Sequence, residues 1–121
     1  MRESILVVDD QRELRLLVRI TLQPLGNIAT AETAEQALAH IREVPTRLVV
    51  LDVWLGAGQS GLEFCRALKN DPATANIKVI LLSANGNDHD IDAGMAAGAD
   101  AYIVKPYSPR DLLVKATQLL D

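Results

Sequence analysis

Runs of consecutive apolar residues alternate along this chain with stretches of helical periodicity. Three of the runs are continuous and rich in β-branched residues, as is typical of strands buried on both faces: Ile5–Val8, Leu48–Leu51 and Val79–Leu82. Weaker strands are predicted at Ile28–Ala31 and Ala101–Val104, and a helical stretch follows each of the five. The pattern predicts an α/β fold, a doubly wound, five-stranded parallel sheet built from five βα units.

The first two helices have recognisable faces and ends. The first helix is predicted to pack on the sheet through one stripe, made of Leu14, Leu17, Val18 and Leu22, and to end before Pro24 and Gly26. Thr33 followed three residues later by Gln36 predicts a capping box at the start of the second helix.

The remaining helices differ in how strongly they are signalled. Gly61–Leu68 supplies the third helix, and Ser108-Pro109 with Asp111 opens the fifth. The fourth, at about His89–Ala97, has few large apolar residues and contains Gly94. We expect this fourth helix to be the least firmly held.

Length and composition narrow the class of protein. The 121 residues fit a single domain over 1–121, and 12 Lys and Arg against 16 Asp and Glu leave a net charge of -4, which argues against direct binding of nucleic acid. Neither a signal peptide nor a membrane span is predicted, so we expect the cytoplasm. The single cysteine, Cys65, falls in an apolar helical pattern and is predicted to be a buried, unreactive thiol.

Polar or charged residues end four of the five strands. The residues are Asp9 and Asp10 after the first strand, Asp52 after the third, Ser83 after the fourth and Lys105 after the fifth. Parallel strands end at one edge of a doubly wound sheet, where such folds bind ligands. Three carboxylates gathered there require a cation, and oxygen ligands without Cys or His favour Mg²⁺, with Mn²⁺ able to substitute.

The same residues suit phosphoryl transfer. A carboxylate can attack phosphorus while a metal ion and Lys105 neutralise the phosphoryl oxygens, so an aspartyl phosphate is the expected product. Each fragment alone is common, since Asp-Asp after a strand is often only a solvated turn. Their arrival after four predicted strands in the correct order is much harder to obtain by accident.

The chain resembles the receiver domains of two-component response regulators from end to end. The matching stretches are Ile5–Asp10, Leu48–Asp52, Leu81–Ala84 and Gly98–Pro106. The resemblance implies a flavodoxin-like fold with strand order 2-1-3-4-5. It also implies phosphorelay signalling: the domain accepts a phosphoryl group from a sensor histidine kinase or histidine phosphotransfer protein, assists only its own phosphorylation and dephosphorylation, and can form a homodimer through its helix 4, strand 5, helix 5 face.

The resemblance also assigns roles at the site. It implies that Asp52 is the phosphoacceptor and that metal ligands come from Asp10, Asp52, the carbonyl of Trp54 and, through water, Asp9. Lys105 would pair with the phosphoryl group and Ser83 would donate its hydroxyl to it. Tyr102 would be the aromatic side chain that moves inward with Ser83, and a cis peptide bond would precede Pro106.

The loop after Asp52 departs from the family pattern. Gly56 occupies the position where a proline is expected, and the loop up to Gly61 is one residue longer than usual. Trp54 is larger than the residues typical at its position, and Asn85 is another position that in this family tunes access of the hydrolytic water. The sequence therefore leaves metal affinity and the lifetime of the phosphorylated state open.

Three alternative functions compete with this interpretation. A phosphatase of the haloacid dehalogenase type would need a second Asp where the chain has Trp54. A flavin-binding module would need a phosphate loop in place of Asp9-Asp10. A degenerate receiver, acting only as a protein interaction domain, is supported solely by the altered loop.

Other side chains are singled out by type. His40, in the second helix, and His89, expected in the loop before the fourth, are interpreted as surface residues without a role rather than relay histidines or ligands. Leu16 and Ile20 form a second apolar stripe on the first helix, where the family docks on the helical hairpin of the kinase. They are candidates for that contact, with simple surface residues as the equal alternative.

Overall fold

A computed structural model of the chain describes residues 3–56 and 60–121. Its strands are β1 (Glu3–Val8), β2 (Gly26–Ala31), β3 (Leu48–Asp52), β4 (Lys78–Ser83) and β5 (Ala101–Val104). They form one sheet in the order β2-β1-β3-β4-β5, in which every neighbouring pair is parallel. The predicted fold class and strand order are confirmed.

In the described part of the chain, five α-helices cover the two faces of the sheet: α1 (Arg12–Leu22), α2 (Ala34–Glu43), α3 (Gly61–Asn70), α4 (Asp88–Ala96) and α5 (Pro109–Leu120). Alternate residues of the central strands point to opposite faces. In β1, Leu6 and Val8 join the core beneath α2 and α3, whereas Ile5 and Val7 join the core beneath α1 and α5. Burial on both faces explains why these strands are continuous apolar runs.

The contact of α1 with the sheet is narrower than predicted. Val18 and Leu22 are buried and Leu14 is half-buried, but Leu17 is 46% exposed. At 3.6 residues per turn, Leu17 lies on the other side of Leu14 from Val18 and Leu22, so it falls outside the buried stripe. Including Leu17 in the core was therefore wrong.

Several element ends also differ from the prediction. The strand β2 begins at Gly26, two residues before the predicted Ile28, because a short 3-10 turn over Gln23–Leu25 carries the chain directly from α1 into pairing with Glu3. His89 lies inside α4 rather than in the loop before it, because Asn87 caps the helix through the Asp90 N–H.

The predicted caps are present with one change. Thr33 Oγ1 accepts from the Gln36 N–H at 3.1 Å, but the Gln36 side chain accepts from Glu32 N–H at 2.9 Å rather than from that of Thr33. Ser108 Oγ accepts from the Asp111 N–H at 3.1 Å as predicted. Gly94 is the one buried residue of α4, which is in keeping with the expected weak attachment of that helix.

Candidate functional site

The predicted site residues lie at the carboxyl edge of the sheet. Asp9 follows β1 directly, Asp52 and Ser83 are the last residues of β3 and β4, and Lys105 follows β5. Because β1 and β4 both pair with β3, the strand ends that carry Asp9 and Ser83 flank the one that carries Asp52. The peptide bond between Lys105 and Pro106 is cis, as predicted.

The carboxylate of Asp52 has a partner on each oxygen. Lys105 Nζ donates to Oδ2 in a very close ion pair, and the main-chain N–H of Trp54 donates to Oδ1 at 2.8 Å. Only 9% of Asp52 is exposed, so burial of its charge would be costly without a paired cation. The Lys105 ammonium therefore balances the charge of the predicted acceptor and lies where an anionic group bound to Asp52 would be placed.

Asp9 carries negative charge that its surroundings balance incompletely. It is 4% exposed, and Oδ1 accepts from the Gln11 N–H at 2.9 Å. Burial, assisted by the charges of Asp52 and Asp10, raises the pKa of Asp9 to about 6 against the opposing effects of that hydrogen bond and of Lys105. A further cation beside Asp9 would offset this charge.

The main chain at Asp9 is held by a residue that sequence reasoning missed. Arg15 Nη1 donates to the carbonyl oxygen of Asp9 at 2.8 Å, and its Nη2 pairs with Glu32 at 3.4 Å. Arg15 thus ties the turn after β1 to α1 and to the loop after β2. No local sequence signal distinguishes it from its exposed neighbours Arg12 and Arg19.

The unusual loop after Asp52 contacts the site through two glycines. Gly56 has φ +79° and lies against the carboxylate of Asp10, so that a Cβ atom at Gly56 would collide with Oδ2 and lie 3.1 Å from Cγ. A proline cannot adopt this φ. The Gly61 N–H donates to the Val53 carbonyl oxygen at 2.7 Å. A Cβ atom at Gly61 would collide with the Asp52 carbonyl oxygen. Residues 57–59 of the longer loop lie outside the described residues.

Ser83 and Tyr102 meet the two main-chain polar groups of one residue, Asn85. Ser83 Oγ accepts from the Asn85 N–H at 3.0 Å, and the Tyr102 hydroxyl donates to the Asn85 carbonyl at 2.8 Å. The ring of Tyr102 lies beneath α4 at Gly94, where a Cβ would be 2.6 Å from Cδ2. A displacement of Asn85 would therefore affect both predicted switch residues.

The donor set fits a hard cation held by few protein ligands. Over residues 3–56 and 60–121, no group of three or more His, Cys, Asp or Glu side chains is placed so that it could hold a metal ion by itself. Mg²⁺ commonly uses one or two carboxylates and retains several waters. The exposed carboxylate of Asp10 and the incompletely balanced Asp9 fit such an ion. Trp54, whose carbonyl is a predicted ligand, is 62% exposed.

Cys65 and the exposed apolar pair on α1 are also singled out by the sequence. Cys65 is fully buried, its Sγ is 3.6 Å from the Ala97 carbonyl oxygen, and burial raises the pKa of its thiol to about 11. The prediction of a buried, unreactive thiol is confirmed in its burial. Leu16 and Ile20 are 54% and 58% exposed. No helix in the described part of the chain combines the length and apolar character needed to cross a bilayer.

Comparison with known proteins identifies the family. The model of the response regulator receiver domain matches residues 5–117, so the chain belongs to that family and is a receiver domain of two-component signalling. The phosphatase and flavin-binding alternatives are thereby set aside.

Relatives and solved structures agree with this assignment. The chain is 38% identical to the phosphate regulon transcriptional regulatory protein PhoB of Pseudomonas aeruginosa, over 98% of this chain and 52% of that protein. It is 36% identical to the DNA-binding response regulator MtrA of Mycobacterium leprae, over 95% and 50%. The chain spans about half the length of these curated relatives.

Among solved structures, the BeF3-activated receiver domain of DrrB matches with a TM-score of 0.90 and 38% identity, covering 99% of this chain and 98% of that one. The chemotaxis response regulator CheY4 of Vibrio cholerae matches with a TM-score of 0.89 and 27% identity, covering 98% of this chain and 99% of that one. Both likenesses support the receiver fold.

Proposed function

We propose that Asp52 accepts a phosphoryl group, in a Mg²⁺-dependent reaction, from a sensor histidine kinase or a histidine phosphotransfer protein. The observation that carries this proposal is the close ion pair between Asp52 and Lys105 at the strand ends, beside Asp9 and Asp10. All five residues predicted at the strand ends gather at this edge, which gives no support to the alternative of a receiver that acts only in protein interactions.

The residues can perform the transfer in the following way. A carboxylate oxygen of Asp52 bonds to phosphorus as the phosphorus–nitrogen bond of the donor phosphohistidine breaks. The ammonium group of Lys105 then pairs with a phosphoryl oxygen instead of Asp52 Oδ2. When bound by Asp10, Asp52, the Trp54 carbonyl and, through water, Asp9, Mg²⁺ would supply positive charge for the phosphoryl oxygens.

Ser83 and Tyr102 would respond to the new group. The Ser83 hydroxyl has a proton free to donate to a phosphoryl oxygen, because it accepts from the Asn85 N–H. Movement of Ser83 toward that oxygen would pull on Asn85, which also holds the Tyr102 hydroxyl. This linkage supports Ser83 and Tyr102 as the switch pair.

The proposed partners follow from exposed apolar side chains. Leu16 and Ile20 on α1 are candidates for the kinase contact. Met95 on α4 and Val114 on α5, each 45% exposed, support a homodimer through the face formed by α4, β5 and α5.

We propose no direct contact with nucleic acid by this domain, given its net charge of -4, and we expect it in the cytoplasm.

Acetyl phosphate tests the phosphoacceptor. Intact mass should rise by one phosphoryl group when the chain is incubated with acetyl phosphate and Mg²⁺, and not when EDTA replaces Mg²⁺. Asp52→Asn should prevent labelling, whereas Asp92→Asn, which removes an exposed carboxylate from α4, should leave it unchanged. Equal labelling of the wild type and Asp52→Asn would refute the assignment.

A further inference from the structure

Asn85, which joins Ser83 to Tyr102, is followed by Gly86. This is the one Asn-Gly pair in the sequence. The side-chain amide carbon of an asparagine can be attacked by the main-chain nitrogen of the next residue, and glycine permits that attack most readily because it has no Cβ and few conformational restrictions. The pair lies in the loop between β4 and α4, at the edge of the sheet that carries the phosphoacceptor site.

Both reacting groups are free in the structure. Asn85 and Gly86 are exposed, and neither residue belongs to a helix or strand. Within residues 3–56 and 60–121, neither the side-chain amide of Asn85 nor the N–H of Gly86 has a hydrogen-bond partner. The main-chain bonds of Asn85 leave its side chain unrestrained.

Asn87, two residues further on, has the opposite environment. Its Oδ1 accepts from the Asp90 N–H at 2.8 Å, and its Nδ2 donates to Asp90 Oδ2 at 2.9 Å. Its neighbour is Asp88, which has a Cβ and opens α4. Asn87 is therefore an internal control for the reactivity of Asn85: it is an exposed asparagine in the same loop, but its side chain is held in a helix cap.

We propose that Asn85-Gly86 is a site of spontaneous deamidation, and that its isoaspartyl product alters the main-chain hydrogen bond by which Asn85 holds Tyr102. The Gly86 nitrogen gives its proton to solvent and bonds to Cγ of Asn85, and ammonia leaves to form a succinimide. Water then opens the ring at one of its two carbonyls. The products are aspartate and isoaspartate at position 85, and no oxidant or reductant is needed.

The isoaspartyl product changes the linkage directly. The main chain then runs through the former side chain, and the carbonyl that accepts from Tyr102 becomes part of a free carboxylate. The N–H that donates to Ser83 remains, but the following residues are displaced by one additional carbon in the main chain. A new negative charge also lies two residues from Ser83, where it repels an incoming phosphoryl group.

The modification is tested by ageing the purified chain at mildly alkaline pH, without phosphodonor. Peptide mapping with an isoaspartyl methyltransferase should show isoaspartate accumulating at position 85 several times faster than at Asn87. Asn85→Gln should abolish it. This variant is preferable to Gly86→Ala, whose Cβ would lie 2.9 Å from Val104 Cγ1 and disturb the loop. Absence of isoaspartate at position 85, or equal rates at the two sites, would overturn the proposal.

The consequence is tested on the isoaspartyl form, which is separated from the parent chain by ion exchange and distinguished from the aspartyl form by isoaspartyl methylation. Labelling with fluorotyrosine gives one ¹⁹F signal from each of the two tyrosines, Tyr102 and Tyr107. The Tyr102 signal should shift in the isoaspartyl form while that of Tyr107 stays in place. After the same ageing, Asn85→Gln should show no shift of either signal. An unchanged Tyr102 signal in the isoaspartyl form would refute the proposed change at this hydrogen bond. Neither measurement requires phosphorylation, so failure here is distinct from failure of the proposed phosphoacceptor.

Discussion

Gly56 lies against the carboxylate of Asp10 in a left-handed conformation that proline cannot adopt. The departure from the family pattern thus brings the loop after the acceptor into contact with a predicted metal ligand. A Cβ at this position would meet the end of a side chain that can rotate, so the predicted cost falls on the orientation of Asp10 more than on the fold.

Gly56→Ala should weaken Mg²⁺ binding about tenfold, as expected when a ligand's support is altered, because the Asp10 carboxylate must rotate away. Emission of the single tryptophan, Trp54, measures the titration. Gly98→Ala is the matched control, since Gly98 also has a positive φ, of +101°, but contacts Lys69. Both variants carry the backbone strain of roughly 1–2 kcal/mol. A similar loss of affinity in Gly98→Ala would show that strain, not the Asp10 contact, is responsible.

Lys105→Ala should separate metal binding from binding of a phosphoryl mimic. Without the ammonium group, the carboxylates have less compensation, so Mg²⁺ should bind as well or better. Beryllofluoride should no longer change Trp54 emission, because its fluorines lack their cationic partner. Lys115→Ala, which removes an exposed cation from α5, should retain both responses. A normal beryllofluoride response in Lys105→Ala would contradict the assigned role.

Gly94→Ala should displace the ring of Tyr102, because the added Cβ would lie 2.6 Å from Cδ2 and 2.9 Å from Cε2. Overpacking costs about 1–3 kcal/mol, against a gain of roughly 1 kcal/mol from alanine in a helix. The unfolding free energy in urea should therefore fall slightly, and the ¹⁹F signal of fluorotyrosine at position 102 should shift. In the Tyr102→Leu background the same change should be less destabilising. Equal effects in both backgrounds would exclude the ring contact.

Stability without metal should depend on the ionisation of Asp9. The folded-state pKa of Asp9 is about 6, above its ordinary value of 3.8, so the folded state binds more protons between these pH values and stability falls as pH rises through them. The loss is at most about 3 kcal/mol, since one pKa unit corresponds to about 1.4 kcal/mol.

Urea denaturation in EDTA from pH 4 to pH 7 measures this loss. The wild type should lose stability relative to Asp9→Asn over that range, whereas Asp92→Asn should follow the wild type. Adding Mg²⁺ near neutral pH should restore stability to the wild type by offsetting the charge. Parallel curves for the wild type and Asp9→Asn would rule out the Asp9 contribution.

Replacing both Leu16 and Ile20 with Ser should slow transfer from the sensor kinase that phosphorylates the wild type fastest in a panel. The rate should fall about tenfold or more, since truncating a central interface side chain costs roughly 2 kcal/mol. Labelling by acetyl phosphate should not change, because neither side chain belongs to the site. Val44→Ser, at an exposed position on another surface, is the control. Unaltered kinase transfer would exclude the proposed contact.

The sequence by itself determined the architecture and the identity of the residues at the sheet edge. Continuous apolar runs report burial on both faces of a strand, and residues that end parallel strands must reach a common edge, so Asp9, Asp52, Ser83 and Lys105 could be placed from local pattern alone. The cap of α4 at Asn87 was not identified, because it does not precede an apolar stripe, although the helix itself was predicted from about His89.

Only the tertiary structure decided which groups touch. The contact of Gly56 with Asp10, the hydrogen bond from Arg15 to Asp9 and the position of Tyr102 beneath Gly94 join residues from separate elements. Each depends on the packing of helices and loops to within an ångström, which hydrophobic periodicity does not encode. For the same reason the sequence grouped Leu17 with the core, whereas the way α1 lies on the sheet leaves it exposed.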